Sequence, residues 1–352
     1  MLISQHDYFL AFLACFVSSI VFTRLFLTIA RSFSVMDHTN ERKVHEQPTA
    51  YLGGPAVLIG LFLPLYFFAP NHLNTQLFLS CGIVAVIGLL DDLLDLSAVL
   101  KLLALFCAVF IATQAGLSSD FFPPTLLGNI FETCLTLIWV VFVISAINAS
   151  DNMDGLAPGF ALIACLMFFI IGAIQFHYPA WALLSISMCG ALLGFLLYNF
   201  HPSVIFLGDS GSFFIGFFLA MLSVMGKWST NPLKSVVIPL VILSVPILDL
   251  VFVVIYRYAT GVTDSIVESI EYSAQDHLSH RIQQVRNFGT RRTVFILYSL
   301  AFIVGIIGVI MRNTHPLEAI FGFVLVGFMY GLVILLLLPN LNQIYWRWEA
   351  ET

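Results

Sequence analysis

Residues 135–174 read LTLIWVVFVISAI, then NASDNMDGLAPG, then FALIACLMFFIIGAI. The two outer runs are almost entirely apolar, whereas the connection between them holds Asn148, Asp151 and Asp154. About 20 apolar residues are needed to cross a bilayer as a helix, and each run with its flanking residues approaches that length. The stretch therefore predicts two membrane-spanning helices joined by an acidic loop at the membrane edge.

The whole chain has the same apolar character. Of its 352 residues, 60% are hydrophobic and 10% are charged, whereas soluble domains have about 45–50% and 25%. We expect an all-α membrane helical bundle, one domain over residues 1–352, with about eleven transmembrane helices. The candidate segments are 8–30, 51–70, 76–92, 98–114, 133–149, 157–175, 179–199, 204–224, 236–257, 294–312 and 317–338.

Two further features of the sequence, its first apolar segment and its cysteines, exclude other interpretations. The first apolar segment is too long for the core of a secretory signal, and no small-residue cleavage site follows it, so we interpret it as a helix. The six cysteines lie one per apolar segment without a CxxC pair, which argues against a zinc cluster or a disulfide framework.

The positions of Lys and Arg predict the orientation, because cytoplasmic loops carry the excess of positive charge. An N-terminus outside and a C-terminus in the cytoplasm leaves only Lys227, Lys234 and Arg312 outside. The five inside loops are then DHTNERKVHEQPTAYLGG at 37–54, DDLLDL at 91–96, NASDNMDGLAPG at 148–159, NFHPSVIFLGDSGS at 199–212, and residues 257–292.

Acidic residues collect in these inside loops, although they did not enter the orientation argument. On a helix Asp91 and Asp95 would share a face, and Asn148, Asp151 and Asp154 would fan over about a third of the circumference. Such carboxylates raise one another's pKa unless a cation intervenes, and oxygen ligands without sulfur favour Mg²⁺ or Mn²⁺. For DDLLDL alone, a solvated helix end is an equally good interpretation.

The GDSGS motif at 208–212 adds an acidic residue between glycines. Gly208 and Gly211 allow close approach of the backbone, and Asp209 is suited to holding a hydrated metal ion. The alternative is that Ser210 and Ser212 simply cap the following helix.

Basic and imidazole side chains in the same loops could clamp a diphosphate. The first loop contains Arg42, Lys43 and His45, and DHLSHR in the fifth loop contains His277, His280 and Arg281. Lys and Arg are expected on the inside in any case, whereas histidine is not.

Two more polar residues accompany apolar segments. Asp249, in VPILDLVFVVIYRY, would lie inside a span, where an ionisable group is a functional candidate. Pairing with a neighbouring helix is the alternative. Lys101 could reach the carboxylates of DDLLDL or extend to the membrane surface.

The motifs DDLLDL, NASDNMDGLAPG and GDSGSFFIG and the histidine-containing fifth loop, in this order, resemble the polyprenyl-phosphate N-acetylhexosamine-1-phosphate transferases. The resemblance covers nearly the whole chain: RKVHEQPTAYLGG is similar to the family's first loop, and VPILDL to its ninth span. Members have ten or eleven spans, in agreement with the segments above.

The resemblance implies transfer of a GlcNAc-like HexNAc-1-phosphate from a UDP-sugar to polyprenyl (undecaprenyl) phosphate, releasing UMP. This would be the first membrane step of a cell-envelope glycan such as lipopolysaccharide or O-antigen. It also implies Mg²⁺ or Mn²⁺ as cofactor, an inner (plasma) membrane location with a cytoplasmic active site, and no nucleic-acid partner. A homodimer is compatible with it.

Carried over to this sequence, the family's catalytic aspartates match Asp91, Asp92, Asp151 and Asp154, and its metal ligand matches Asp209, assisted by Asp91 or Asp92. Whether Asp91 or Asp92 removes a proton from the lipid phosphate or only holds metal is left open. Taken together, the candidate substrate-binding residues are Lys43, Thr49, Lys101, Asn148, His277, His280 and Arg281.

The sequence departs from the family pattern in two of its loops. Ser279 replaces the third position of the His motif, Ala274–Gln275 replaces the Asp-Arg pair before it, and Asn152 replaces a glycine. Two other classes are considered: a proton- or cation-coupled transporter, which would place carboxylates near mid-membrane in broken helices, and a catalytically silent scaffold.

Overall fold

The computed structural model describes residues 3–33, 36–37, 49–68, 75–118, 122–174, 179–226, 228–229, 231–272 and 274–337. Within these ranges the regular structure is helical, apart from the two-residue antiparallel strands β1 (Met36–Asp37) and β2 (Thr49–Ala50). The prediction of an all-α polytopic membrane protein is confirmed. The helices are α1 (Gln5–Ser32), α2 (Gly53–Phe68), α3 (Thr75–Leu94), α4 (Ala98–Gln114), α5 (Leu126–Ser150), α6 (Leu156–Ile174), α7 (Pro179–Asn199), α8 (Gly208–Met225), α9 (Pro232–Ile242), α10 (Ser244–Ala259), α11 (Ile266–Glu271), α12 (Leu278–Arg286), α13 (Thr290–Met311) and α14 (Pro316–Leu337).

Each of the eleven predicted segments coincides with one helix, or with a pair of helices at the ninth. Eight helices in the described ranges are long and apolar enough to cross a membrane, and a ninth span is obtained if α9 and α10 are counted together. The apolar helices α2 and α4 are shorter, with 16 and 17 residues. The count of eleven spans therefore stays a prediction.

The ninth predicted segment is broken rather than straight. Its two halves meet at Leu243 and differ in direction by 76°. Pro239 and Pro246 flank the break, and proline disrupts a helix because it lacks an N–H and its ring clashes with the preceding turn.

Helix α8 lies at the centre of the bundle. In its spanning window 89% of the residues are buried, compared with 28% for α1 and 22% for α14. A helix that is apolar on all sides belongs in a protein core, whereas lipid can cover the exposed faces of α1 and α14. The GDSGS motif is the first turn of α8, so the fold places that motif at the end of its most enclosed helix.

Small residues allow neighbouring helices to approach α8 closely. A Cβ at Gly88 of α3 would lie 2.5 Å from the backbone oxygen of Asp209, and one at Gly54 of α2 would lie 2.3 Å from the nitrogen of Gly211. Close backbone approach at glycine is a common basis of helix packing in membranes. Helices α2 and α3 are thereby held against the first turn of α8.

The predicted inside loops meet at the end of the bundle where α8 begins. Ala50 of the first loop forms a parallel bridge with Ile205 of the fourth. The N–H of Gly53 donates to the carbonyl of Phe206 at 3.0 Å. The second, third and fifth loops join them through the side chains described next, so the described parts of the five loops lie at one end of the bundle, and their assignment to the inside stays a prediction.

Candidate active site

Asp92 caps the start of α8 from the end of α3. Its Oδ1 accepts from the backbone N–H of Asp209 at 2.9 Å, and its Oδ2 accepts from that of Ser210 at 3.2 Å. Leu207, at the N-cap position, has no side-chain acceptor. Because the first N–H groups of a helix lack partners and carry partial positive charge, a carboxylate there is stabilising. The alternative that Ser210 and Ser212 act as caps is wrong: both lie inside the helix.

Asp209 joins the second, third and fourth loops. Asn148, on the last turn of α5, donates from Nδ2 to Asp209 Oδ1 at 2.7 Å and to Ser212 Oγ at 2.9 Å. The Asp209 carboxyl group also interacts with those of Asp91 and Asp92. Side chains far apart in sequence thus bring three carboxyl groups together beside one amide.

Asp91 is buried and held by one cation. Its Oδ1 accepts from the N–H of Leu96 at 2.9 Å, and its Oδ2 accepts from Lys101 Nζ at 2.7 Å. Lys101 therefore reaches the carboxylates, as one of its two interpretations required. The prediction that Asp91 and Asp95 share a helix face is wrong, because α3 ends at Leu94 and Asp95 is exposed with a left-handed φ of 51°.

Asp151 lies just beyond the end of α5 and faces the same carboxyl groups. Burial raises the pKa of Asp151 well above its ordinary value, and the charges of Asp209, Asp92 and Asp154 raise it further. In the described part of the chain, no side-chain or backbone donor bonds to its carboxyl group. Asp151 is thus the acidic residue of this group with the least internal compensation.

Asp154 is bonded to the fourth loop. Its Oδ2 accepts from His201 Nδ1 at 2.7 Å and from the N–H of Ser203 at 3.2 Å, and its Oδ1 accepts from Ser203 Oγ at 2.8 Å. The prediction that Asn148, Asp151 and Asp154 fan out on one helix is wrong. Only Asn148 is helical, because α5 ends before both aspartates.

His201 was not predicted as a site residue. It belongs to NFHPS, in the same inside loop as Asp209. The reasoning applied to the fifth-loop histidines, that orientation does not require histidine on the inside, would have identified it as well. Its partner Asp154 lies 47 positions away, a separation at which local sequence periodicity carries no information.

The fifth loop is fastened to α10 by a buried ion pair. Arg257 donates from Nε to Asp276 Oδ2 at 2.8 Å, and from Nη2 to Oδ1 at 2.5 Å. Its Nη1 donates to the carbonyls of Ser269 and Tyr272 at 2.6 and 2.7 Å. Burial acts to raise the pKa of Asp276, but its bonds to Arg257 outweigh burial and hold that pKa below its ordinary value.

Asp249 is also paired across helices, as its structural interpretation proposed. It accepts from His277 Nδ1 and from the N–H of Leu278, both at 2.8 Å, and from the hydroxyl of Tyr330 at 3.4 Å. It therefore caps the start of α12 and fixes one nitrogen of His277, which is itself buried.

The other two predicted substrate-binding residues of the fifth loop, His280 and Arg281, have side chains that are less exposed than that role suggested. Arg281 is 3% exposed, lies over the rings of Phe252 and Tyr256, and donates from Nε to the carbonyl of Asp276. Burial and the neighbouring His277 lower the pKa of His280 to about 4. His280 is therefore neutral near pH 7, and can act there as a hydrogen-bonding group rather than a cation.

Two departures from the family pattern contact each other. Ser279 Oγ donates to Asn152 Oδ1 at 2.7 Å, and Asn152 Nδ2 donates to the carbonyl of Ala149 at 2.6 Å. The residue that replaces an imidazole in the fifth loop thus bonds to the residue that replaces glycine in the third. Together they tie the two loops.

The side chains of two predicted substrate-binding residues lie outside the part of the chain that the structure describes. Lys43 lies outside the described residues, and Thr49 is described only by its backbone in β2.

The donor set is compatible with a magnesium ion. Within the described ranges, no three His, Cys, Asp or Glu side chains converge as ligands of one ion. Mg²⁺, however, is usually held by one or two carboxylates together with substrate phosphates and water. The contact between the carboxyl groups of Asp209 and Asp91 fits such an ion, because like charges this close need a cation or a proton between them.

Comparison with known proteins places this geometry in a family. Residues 74–227 match the model of glycosyl transferase family 4. The probable undecaprenyl-phosphate N-acetylglucosaminyl 1-phosphate transferase of Bacillus subtilis is 32% identical over 330 residues, which cover 91% of this chain and 89% of that protein. The chain belongs to glycosyl transferase family 4, among the polyprenyl-phosphate N-acetylhexosamine-1-phosphate transferases.

Other members of glycosyl transferase family 4 support the assignment. The undecaprenyl-phosphate alpha-N-acetylglucosaminyl 1-phosphate transferase of Escherichia coli K12 is 28% identical, over 90% of this chain and 89% of its own length. The decaprenyl-phosphate N-acetylglucosaminephosphotransferase of Mycobacterium tuberculosis H37Rv is 31% identical, over 77% of this chain and 74% of its own. The residues that match the family model contain α3 to α8, and with them the carboxylate group.

Proposed function

We propose that this chain transfers N-acetylhexosamine 1-phosphate from UDP-HexNAc to a polyprenyl phosphate, giving polyprenyl-diphospho-HexNAc and UMP. The relatives are named as N-acetylglucosamine 1-phosphate transferases for undecaprenyl or decaprenyl phosphate, so GlcNAc is the expected sugar. One observation carries the chemistry: Asp91, Asp92 and Asp209 interact at the first turn of the most buried helix. The relatives do not favour a transporter.

The charge of this group suits phosphoryl transfer, in which a protein mainly positions its substrates and neutralises charge. Mg²⁺ or Mn²⁺, held by Asp209 with Asp91 or Asp92, would neutralise the donor diphosphate and the departing UMP. Asn148 fixes the rotamer of Asp209 for this purpose, since its amide bonds Oδ1 at 2.7 Å.

Asp91 and Asp92 are better suited to holding charge than to removing a proton. Both oxygens of Asp92 accept backbone N–H groups of α8, and those of Asp91 accept from Leu96 and Lys101. Oxygens that already accept these hydrogen bonds are less available to take a proton from a substrate. The acceptor phosphate is already an anion near neutral pH, so its attack does not require a strong base.

The surroundings support a location at the cytoplasmic face of the inner, or plasma, membrane. Arg286, Arg291 and Arg292 lie at the same end of the bundle as the carboxylates, as the positive-inside rule requires for a cytoplasmic face. The lipid tail of the acceptor would stay among the apolar side chains exposed on the bundle, because removing it from the bilayer costs about 0.8 kcal/mol per CH₂.

The test is an assay of UMP release by the purified protein, with undecaprenyl phosphate, Mg²⁺ and a panel of UDP-sugars. We expect release with UDP-GlcNAc and loss of release in Asp209→Asn. Asp95→Asn is the matched control, because Asp95 is exposed and its positive φ suits asparagine. Absence of UMP with every donor, or equal activity of Asp209→Asn and the parent, would contradict the proposal.

A further inference from the structure

His201 is held from one side by a charged partner. The Asp154 side chain is 5% exposed and accepts three hydrogen bonds, from His201 Nδ1, Ser203 Oγ and the N–H of Ser203. All three contacts use the carboxylate as the acceptor, so Nδ1 of His201 is a donor in this pair. Asp154 thereby fixes the orientation of the imidazole and leaves Nε2 as its outward nitrogen.

The opposite nitrogen of the ring is turned outward. The His201 side chain is 41% exposed, and the described part of the chain offers no bonding partner to its Nε2. An oriented imidazole with one nitrogen buried and the other exposed can bind a group that arrives from outside the fold.

The backbone around His201 is fixed. Arg291 donates from Nε to the His201 carbonyl at 2.8 Å. The buried Asn199 accepts from the N–H of Gly155 at 3.1 Å and donates to the carbonyl of Ile205 at 2.9 Å. These bonds tie the fourth loop to the third loop and to α13, so the ring is held before a ligand binds and little entropy is lost on binding.

Three other basic groups at this end of the described structure are already bonded within the protein. Lys101 contacts Asp91 at 2.7 Å, Arg257 contacts Asp276, and Arg281 is buried over aromatic rings. A phosphate that approaches an acidic site still needs a donor on its other side. His201 is linked to that site through Asp154, whose charge acts on Asp151.

We propose that His201, oriented by Asp154, binds a phosphate group of a substrate through an N–H at Nε2, both ring nitrogens donating when the imidazole lies between the carboxylate and the phosphate, and that Asp154 is a positioning residue acting through this imidazole. The inference rests on the proposed function only for the identity of the substrate. The phosphate belongs either to the sugar nucleotide or to the polyprenyl phosphate, and the experiment separates these sources.

Two substitutions of His201 test the roles of its two ring nitrogens separately. His201→Asn keeps an amide near Nδ1 that can still donate to Asp154, but removes the donor at Nε2. His201→Gln places an amide near Nε2 and gives up the contact with Asp154. If the imidazole binds phosphate, His201→Asn is the more damaging change; if it only supports the loop, His201→Gln is.

The first readout is binding of UDP, which needs no turnover and so does not depend on the proposed reaction. The second is the KM for polyprenyl phosphate in the UMP-release assay. We expect His201→Asn to weaken one of them about 10- to 100-fold, the range for a hydrogen bond to a charged group, and His201→Gln to recover much of it. A change in UDP binding assigns the nucleotide phosphate, and a change only in the lipid KM assigns the acceptor phosphate.

Asp154→Asn tests the positioning role. It should weaken the same readout in the parent and have no further effect in the His201→Asn background, because Asp154 acts through the ring. His315→Asn, at the exposed α13–α14 turn on the opposite end of the bundle, is the matched control. The inference is overturned if His201→Asn leaves both readouts at the parent value, or if His201→Gln is the more impaired of the two.

Discussion

Replacing Gly88 by alanine should disturb the carboxylate group without touching any polar side chain. A Cβ at Gly88 would lie 2.5 Å from the backbone oxygen of Asp209 and 2.7 Å from Cα of Ser210. These are backbone atoms in the first turn of a buried helix, so no side chain can rotate away. An ordinary contact of 3.4 Å requires α3 and α8 to separate by about 0.9 Å. Asp92, on the same helix as Gly88, would then move away from the two N–H groups that it caps.

The size of the effect follows from that displacement. Overpacking in a core costs about 1–3 kcal/mol of stability, and a misplacement of about 1 Å in an active site can lower the rate about 100-fold. We therefore expect Gly88→Ala to release UMP about 100-fold more slowly and to unfold at a lower temperature. The assay compares initial rates of UMP release at saturating substrates, together with thermal unfolding in the same detergent.

Gly82→Ala is the matched control on the same helix. A Cβ at Gly82 meets no atom within 4 Å, and alanine is favoured over glycine in a helix interior by about 0.5–1 kcal/mol. This variant should keep the parent rate and equal or exceed its stability. The reasoning is refuted if Gly88→Ala keeps the parent rate, or if both variants lose activity to the same extent.

Two further substitutions test the charged contacts around the site. Lys101→Met keeps the aliphatic stem but leaves the buried Asp91 without its cation. We expect this variant to lose about 1–3 kcal/mol of stability and to release UMP more slowly, whereas Lys101→Arg should retain activity. Unchanged stability of Lys101→Met would contradict this reasoning. Asp276→Asn breaks the buried pair with Arg257 and should cost about 3–5 kcal/mol near pH 7. Because the folded pKa of Asp276 lies below its unfolded value, this stabilisation is present above an unfolded pKa of about 3.9 and is lost as pH falls through the folded pKa. Denaturant unfolding should show the difference between parent and variant shrinking below about pH 4; a constant difference would rule out the pair as its source.

The helices and the grouping of their loops could be predicted because both follow from local composition. Apolar length identifies each helical segment, and the positions of Lys and Arg assign the connecting loops to one end. Proximity of Asp91, Asp151 and Asp209 then follows from topology, since loops at the same end of a bundle of tightly packed helices have little room to lie far apart.

The predictions that were wrong concern where helices end. A run such as DDLLDL gives no sign that α3 stops at Leu94, and the stop is caused by the short connection to α4, which needs a left-handed residue at Asp95. In the third loop, the positive φ of Gly155, 78°, belongs to the turn that leads into α6. Because helical periodicity was extended into these turns, Asp95 and Asp154 were assigned to helix faces, although neither residue is helical in the structure.

The pairing of polar side chains could not be predicted from the sequence, for a different reason. Asp154 with His201, Asp249 with His277, and Asn152 with Ser279 join loops that are distant along the chain. Each partner is one of several polar residues at the same end of the bundle, and composition does not indicate which pairs form. Their selection depends on side-chain geometry fixed only after the helices pack.

The carboxylates at this end of the bundle fall into two groups, according to whether hydrogen-bond donors of the protein compensate their charge. Asp154, Asp249 and Asp276 each accept at least two hydrogen bonds, with a histidine or an arginine among the donors. These hydrogen bonds fasten one segment of the chain to another. Asp209 has one amide donor and two carboxyl neighbours, and within the described chain Asp151 has no donor on its side chain. Because the fold leaves Asp209 and Asp151 uncompensated, the proposed function predicts that a cation binds beside them, and the other three aspartates hold the loops that surround them.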